Sequence, residues 1–170
     1  MTETVLIVDD QLDEILWLLE LLQHRGYGVV LATNERDANS RLMAIHDGTE
    51  SYAAAVFDVM LSTLSIEDIV SSQAELNDEF FEESKDTGLR LCRRAKELGL
   101  ELPMACLTVR KDAEVEAVSD ETGIPVYNRI PLEESESILK FLDQHLPALV
   151  GSKAKAPAAR RRRKKRPRKH

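Results

Sequence analysis

Cysteine, histidine and long apolar runs are scarce in this sequence, and each shortage excludes something. The two cysteines, Cys92 and Cys106, lack the spacing of metal ligands. Both lie in apolar or amphipathic surroundings and read as core thiols of a reducing compartment. The four histidines, His24, His46, His145 and His170, form no cluster along the chain. No apolar run is long enough to span a bilayer, and Met1-Thr2-Glu3-Thr4 lacks the basic start of a secretory leader. The expectation is a soluble, cytoplasmic protein.

Charge is abundant but segregated. Residues 151–170 hold 11 of the 23 basic residues and no acid, leaving 12 basic against 30 acidic side chains, a balance of −18, in the first 150. The pattern is an acidic globule followed by a polycationic tail. A chain of 170 residues suits one domain with appendages. Residues 1–148 are expected to form that domain, and 149–170 a disordered polybasic tail.

The most informative stretch is Val5-Leu6-Ile7-Val8-Asp9-Asp10, a buried strand that stops in two carboxylates. An unpaired carboxylate is too costly inside a sheet, so Asp9 and Asp10 belong at its carboxyl edge. Like charges side by side call for a positive partner, and a hard divalent cation is one candidate. The competing reading makes Asp10 the N-cap of the following helix. Tyr52 to Asp58 repeats the theme of an apolar strand ending on acid, and Leu102 to Thr108 ends on a hydroxyl.

Between these strands lie helical patterns. Gln11–His24 closes at Arg25-Gly26, and a helix capped by Asn34 ends at Asp47-Gly48. Thr87–Leu98 is stopped by Gly99, Asp112–Glu121 by Gly123, and Glu133–Leu146 buries Ile138, Leu139, Phe141 and Leu142. Gly28–Ala32 and Ile124–Ile130 complete five strands. Residues 62–86 insert an acidic, serine-rich segment in which Ile66, Ile69, Val70, Phe80 and Phe81 suggest amphipathic helix. Five alternations of strand and helix signal an α/β fold, a doubly wound parallel sheet covered on both faces. Asp9, Asp10, Asp58 and Thr108 then share one edge, a setting suited to a cation and a phosphorylated ligand.

At this point the chain resembles the receiver domain of two-component response regulators, over roughly residues 3–147 with one insertion. The acidic pair closes strand one, Phe57-Asp58-Val59-Met60-Leu61 looks like the phosphoacceptor strand end, and Leu107-Thr108 resembles the strand-four switch hydroxyl. Tyr127 stands at the switch aromatic and Pro131 at the proline of the usual Lys-Pro pair. The resemblance implies a flavodoxin-like five-stranded sheet of order 2-1-3-4-5. It implies that Asp58 accepts a phosphoryl group from a histidine kinase or histidine phosphotransfer protein, with output through a downstream protein target. Mg²⁺ would be held by Asp10, Asp58 and the backbone carbonyl of Met60, with Asp9 acting mainly through water. Family register turns Trp17, Leu18, Leu21 and Leu22 to the core and leaves Ile15, Leu16 and Leu19 for partner docking, although a broad core contact explains both stripes as well. A second copy of the chain is a further partner to consider.

Two departures stand out. Ile130 replaces the lysine before Pro131 and supplies neither charge nor donor. Arg129 is adjacent, but strand alternation turns it to the opposite face in the absence of a bulge. Val109, after Thr108, crowds the space a phosphoryl group enters.

The tail cations are Arg160, Arg161, Arg162, Arg163, Lys164, Lys165, Arg166, Arg168 and Lys169. No aromatic residue stands among them, so nucleic-acid binding would be electrostatic and non-specific. An anionic membrane surface, a nuclear-import address or the chain's own acidic body compete as ligands. The leading expectation is a single-domain response regulator with no enzymatic turnover beyond self-phosphorylation and autodephosphorylation at Asp58. The alternative is a pseudo-receiver adaptor that works without phosphate and binds a polyanion through its tail. An aspartate-nucleophile phosphatase comes third, because Gln11 and Leu12 stand where such hydrolases need a second Asp.

Overall fold

Five apolar segments form one all-parallel sheet, and the helices between them cover both its faces. The computed structural model describes residues 3–61, 85–129 and 137–149. In chain order the elements are β1 (Thr4–Val8), α1 (Leu12–Arg25), β2 (Gly28–Ala32), α2 (Glu35–His46) and β3 (Ala54–Asp58). After the insertion come α3 (Thr87–Glu97), β4 (Met104–Thr108), α4 (Ala113–Thr122), β5 (Val126–Asn128) and α5 (Ile138–His145). The sheet order is β2-β1-β3-β4-β5, the order that the resemblance to receiver domains implies. The inserted segment's apolar residues, Ile130, Pro131, the helix start at Glu133 and the tail cations lie outside the described residues.

Strand alternation sorts the core into two layers. Val5, Ile7, Ala54, Val56 and Leu107 face α1 and α5, meeting Ile15, Leu18, Leu22, Ile138 and Phe141. Leu6, Val8, Ala55, Phe57 and Cys106 face the other way, toward Leu42, Leu89, Cys92, Val115 and Val118. Both cysteines are buried free thiols, with their sulfurs 3.0 Å apart. The small side chains of Ala54 and Ala55 are fully buried, which lets helices approach β3 from both sides.

Local signals set the helix ends. The Asn34 side chain accepts the Asp37 N–H at 2.9 Å, and Gly26 closes α1 at φ 95°, a left-handed conformation that glycine adopts at least cost.

Two helix faces differ from expectation. Ile15, assigned to the docking face, is fully buried with Leu18 and Leu22, while Leu16 is 54% exposed and Leu19 half-buried. Trp17 and Leu21 are half-buried beside that stripe. The apolar residues of α1 span more than one helical face, and the register against β1 and β3 selects which of them enter the core. In α5, Leu139 is 37% exposed because Ile138, Phe141 and Leu142 define the buried side. β5 is also shorter than its apolar run, ending at Asn128.

Candidate functional site at the carboxyl edge of the sheet

β1, β3 and β4 end side by side, so their last residues share one edge. Asp9 follows β1 directly and donates its backbone N–H to the Ala32 carbonyl at 3.0 Å. Its Oδ1 accepts the Gln11 N–H at 2.7 Å, a tight turn that starts α1. The N-cap position belongs to Gln11, whose side chain makes no cap bond, so the capping reading of Asp10 does not hold. Asp9 is buried and Asp10 exposed. Burial pushes the Asp9 carboxyl above its ordinary range, against the pull of the Gln11 N–H and of Arg129.

Asp58 is the last residue of β3 and only 3% exposed. Burial pushes its carboxyl up to about 7, and the charges of Asp9 and Asp10 act in the same direction. The Arg129 guanidinium and the Met60 N–H, which donates to this carboxylate, pull it down. Asp58 Oδ2 has no hydrogen-bond partner although it is buried. Close backbone packing holds this strand end. Gly88 in α3 donates its N–H to the Val59 carbonyl at 2.9 Å, and a Cβ on Gly88 would lie 2.6 Å from Val59 Cα.

Arg129 reaches the acidic site, against the expectation that the opposite face would carry it away. β5 stops at Asn128, and the Arg129 N–H donates to the Thr108 carbonyl at 3.0 Å. Tyr127 packs on the α1 side of the sheet, and Arg129, two residues on, keeps to that side, where Glu14 of α1 also stands. The guanidinium turns into the acidic site, where it is 6% exposed. Its Nη1 donates to Glu14 Oε2 at 2.7 Å and its Nη2 to Asp9 Oδ2. The same Nη2 lies 3.3 Å from Asp58 Oδ2, close enough for charge attraction but not aligned as a hydrogen bond. Asp58, Asp9 and Glu14 together keep this guanidinium protonated despite its burial.

Thr108 is buried at the end of β4 and its Oγ1 accepts the Arg110 N–H at 3.1 Å. Arg110 in turn donates to the Lys85 carbonyl and to Asp86 Oδ1, both at 2.6 Å. The loop after β4 is thus tied to the end of the insertion. Asp58, Thr108 and Arg129 line one open cleft of about 640 Å³, with Gln11, Glu14, Trp17, Met60 and Val109. Val109 is 61% exposed at this cleft and does not plug it. Tyr127 lies apart, half-buried with its ring 6.2 Å from that of Phe141. It lines a second cavity of about 380 Å³, which Thr108 shares.

Asp9, Asp10 and Asp58 each offer a carboxylate oxygen within 4.8 Å of the others. Three hard oxygen donors, one from each carboxylate, fit a divalent cation. Of the expected site residues, the acidic trio and Thr108 come together, Met60 lines their cleft, and Tyr127 stands behind Thr108. Arg110, Glu14 and Gly88 were absent from the expectation. A glycine in the first turn of a helix, where alanine is intrinsically better, was the available signal for Gly88.

No protein-family model and no curated protein matches this chain. Solved structures do. A CheY-like response regulator receiver domain protein from Methanospirillum hungatei JF-1 matches with TM-score 0.56 and 21% identity over 85% of this chain and 97% of that one. A putative response regulator from Chloroflexus aurantiacus J-10-fl matches with TM-score 0.57 and 23% identity over 84% and 97%. A response regulator protein from Burkholderia pseudomallei, solved with a phosphorylated aspartic acid, calcium ion and citrate, matches with TM-score 0.54 and 16% identity over 88% and 68%. The fold is that of response regulator receiver domains.

Proposed function

We propose that the chain works as a response regulator receiver, residues 1–148 forming the receiver and Asp58 accepting a phosphoryl group. The observation that carries this reading is the buried Asp58 carboxylate, whose Oδ2 accepts no hydrogen bond, on an open cleft that Thr108 also lines. Asp58 attacks the phosphorus of a phosphohistidine on a kinase or phosphotransfer protein, and the P–N bond breaks as the P–O bond forms. The attacking carboxylate must be ionised, and Arg129 and the Met60 N–H favour that form. Thr108 Oγ1 accepts from Arg110 and so keeps its own proton to donate to a phosphoryl oxygen. Asp9, Asp10, Asp58 and the Met60 carbonyl would hold Mg²⁺, which supplies neutralisation of phosphoryl charge.

Signalling then proceeds through protein contacts, with Tyr127 and Leu16 on surfaces a target can reach. Among the described residues no helix is long and apolar enough to cross a membrane. Residues 149–170 form a polyanion-binding tail. Exposure to acetyl phosphate tests the central step: wild type takes up label at one site and Asp58→Asn takes up none. Equal labelling of both proteins would rule out Asp58.

One observation favours the adaptor reading. Arg129 already pairs with Asp9 and Glu14, so much of the site is charge-compensated without phosphate or metal.

A further inference from the structure

Arg129 is an uncommon tenant for a site built to hold a divalent cation. It is 6% exposed, and its side chain ends among three carboxylates contributed by three elements: Asp9 after β1, Glu14 on α1 and Asp58 on β3. Two of the three, Asp9 and Asp58, belong to the trio whose oxygens would ligate the cation. A guanidinium is always charged, and its planar fork can serve two carboxylates at once. Here one arm donates to Asp9 and approaches Asp58, while the other donates to Glu14. The two ends of that bridge differ. Asp9 and Asp58 are buried, whereas the Glu14 side chain is 54% exposed and stands at the mouth of the cleft.

We infer that Arg129 is a built-in cation that competes with divalent metal for Asp9 and Asp58. A metal ion entering the trio needs the lone pairs that the inner arm occupies, and it meets a positive charge in contact with two of its ligands. Binding therefore requires Arg129 to release Asp9 and Asp58 and swing outward on its Glu14 contact. Asp58 Oδ2 is held by charge attraction at 3.3 Å and accepts no hydrogen bond, so releasing it breaks fewer contacts than releasing Asp9. Reciprocity then makes metal binding a means of freeing Arg129, and retention of Arg129 a means of keeping the site metal-poor.

This inference rests on the reading of Asp9, Asp10 and Asp58 as a cation site, and its test needs no phosphate. Mg²⁺ alone is titrated into the full-length, metal-free protein at about pH 8, where Asp58 is ionised. Calorimetry reports binding, and Trp17, the single tryptophan and a lining residue of the same cleft, gives a second optical readout. Arg129→Ala is expected to bind Mg²⁺ at least about fivefold more tightly than wild type. Adding free guanidinium at sub-denaturing concentration should weaken Mg²⁺ binding to Arg129→Ala competitively and leave wild type unchanged. Circular dichroism checks the fold. If Arg129→Ala does not fold, Arg129→Gln removes the charge while keeping much of the side chain's volume, and it too should bind Mg²⁺ more tightly than wild type. Equal or weaker Mg²⁺ binding by the folded variants, or no guanidinium competition, would overturn the inference. Failure of Asp58 to take up phosphate, with the Mg²⁺ differences intact, would overturn the proposed function and leave this inference standing.

Discussion

Asp58 and Arg129 decide what the site can do, and both depend on burial. A carboxyl raised to about 7 holds its proton more tightly in the folded chain than in the unfolded one. The sign follows from that: the stabilisation is fully present below the unfolded range, declines as pH rises from about 4 to about 7, and is constant above that window. In the absence of divalent cations, Asp58→Asn should lose less stability than wild type, by on the order of a few kcal/mol, read from their urea midpoints at about pH 5 and about pH 8. Asp9, also raised by burial, contributes in the same direction and remains in both proteins. A pH profile of Asp58→Asn that parallels wild type would show Asp58 to be an ordinary carboxylate. The acidic trio and Thr108 were legible in the sequence because an apolar strand ending on a polar residue can leave that residue only at the sheet edge. Arg129 was not legible, since the face that alternation gives it, shared with Tyr127, also borders the acidic site.

At the scale of elements, the α3–β3 contact is the tightest joint near the site. Gly88→Ala sets a methyl group against the Asp58–Val59 backbone, where no flexible side chain can give way. A loss of about 3 kcal/mol or more is expected, seen as a lower unfolding midpoint, because overpacking against backbone has no cheap relaxation. Unchanged stability would mean that α3 does not dock as described. On α1, Ile15→Ala should cost about 2–5 kcal/mol, whereas Leu16→Ala should stay within about 0.5 kcal/mol. The same pair separates packing from docking, since only Leu16 is available to a partner. The five strands and the capped start of α2 follow from apolar runs, acid stops and Asn34, all local signals, whereas the strand order was implied only by the resemblance to receiver domains. The register of α1 does not, because its apolar residues fit more than one face and only packing against β1 and β3 chooses among them. Gly88 belongs to the same class: its role lies in what approaches it, not in its neighbours along the chain.

Across the whole molecule the charge division dominates, −18 in the first 150 residues against 11 basic residues in the last 20. If the tail engages about eight phosphates of a DNA duplex, the logarithm of affinity should fall with the logarithm of salt at a slope near −7. Fluorescence anisotropy across a salt series checks this, and a variant ending at residue 150 should lose binding altogether. Retention of binding by that variant would assign it to the acidic body instead. Composition identifies a polycation without naming its ligand, since phosphate, lipid and carboxylate all satisfy the same charges.

The central claim is that Asp58 is a working phosphoacceptor although Ile130 stands where the resemblance calls for a lysine. Intact-mass spectrometry of wild type and Asp58→Asn, after incubation with Mg²⁺ and a small phosphodonor, tests it most directly. The account predicts a single phosphoryl adduct on wild type and none on the variant. No adduct on wild type, with Mg²⁺ bound and a phosphohistidine donor also tried, would contradict it and leave the phosphate-independent adaptor.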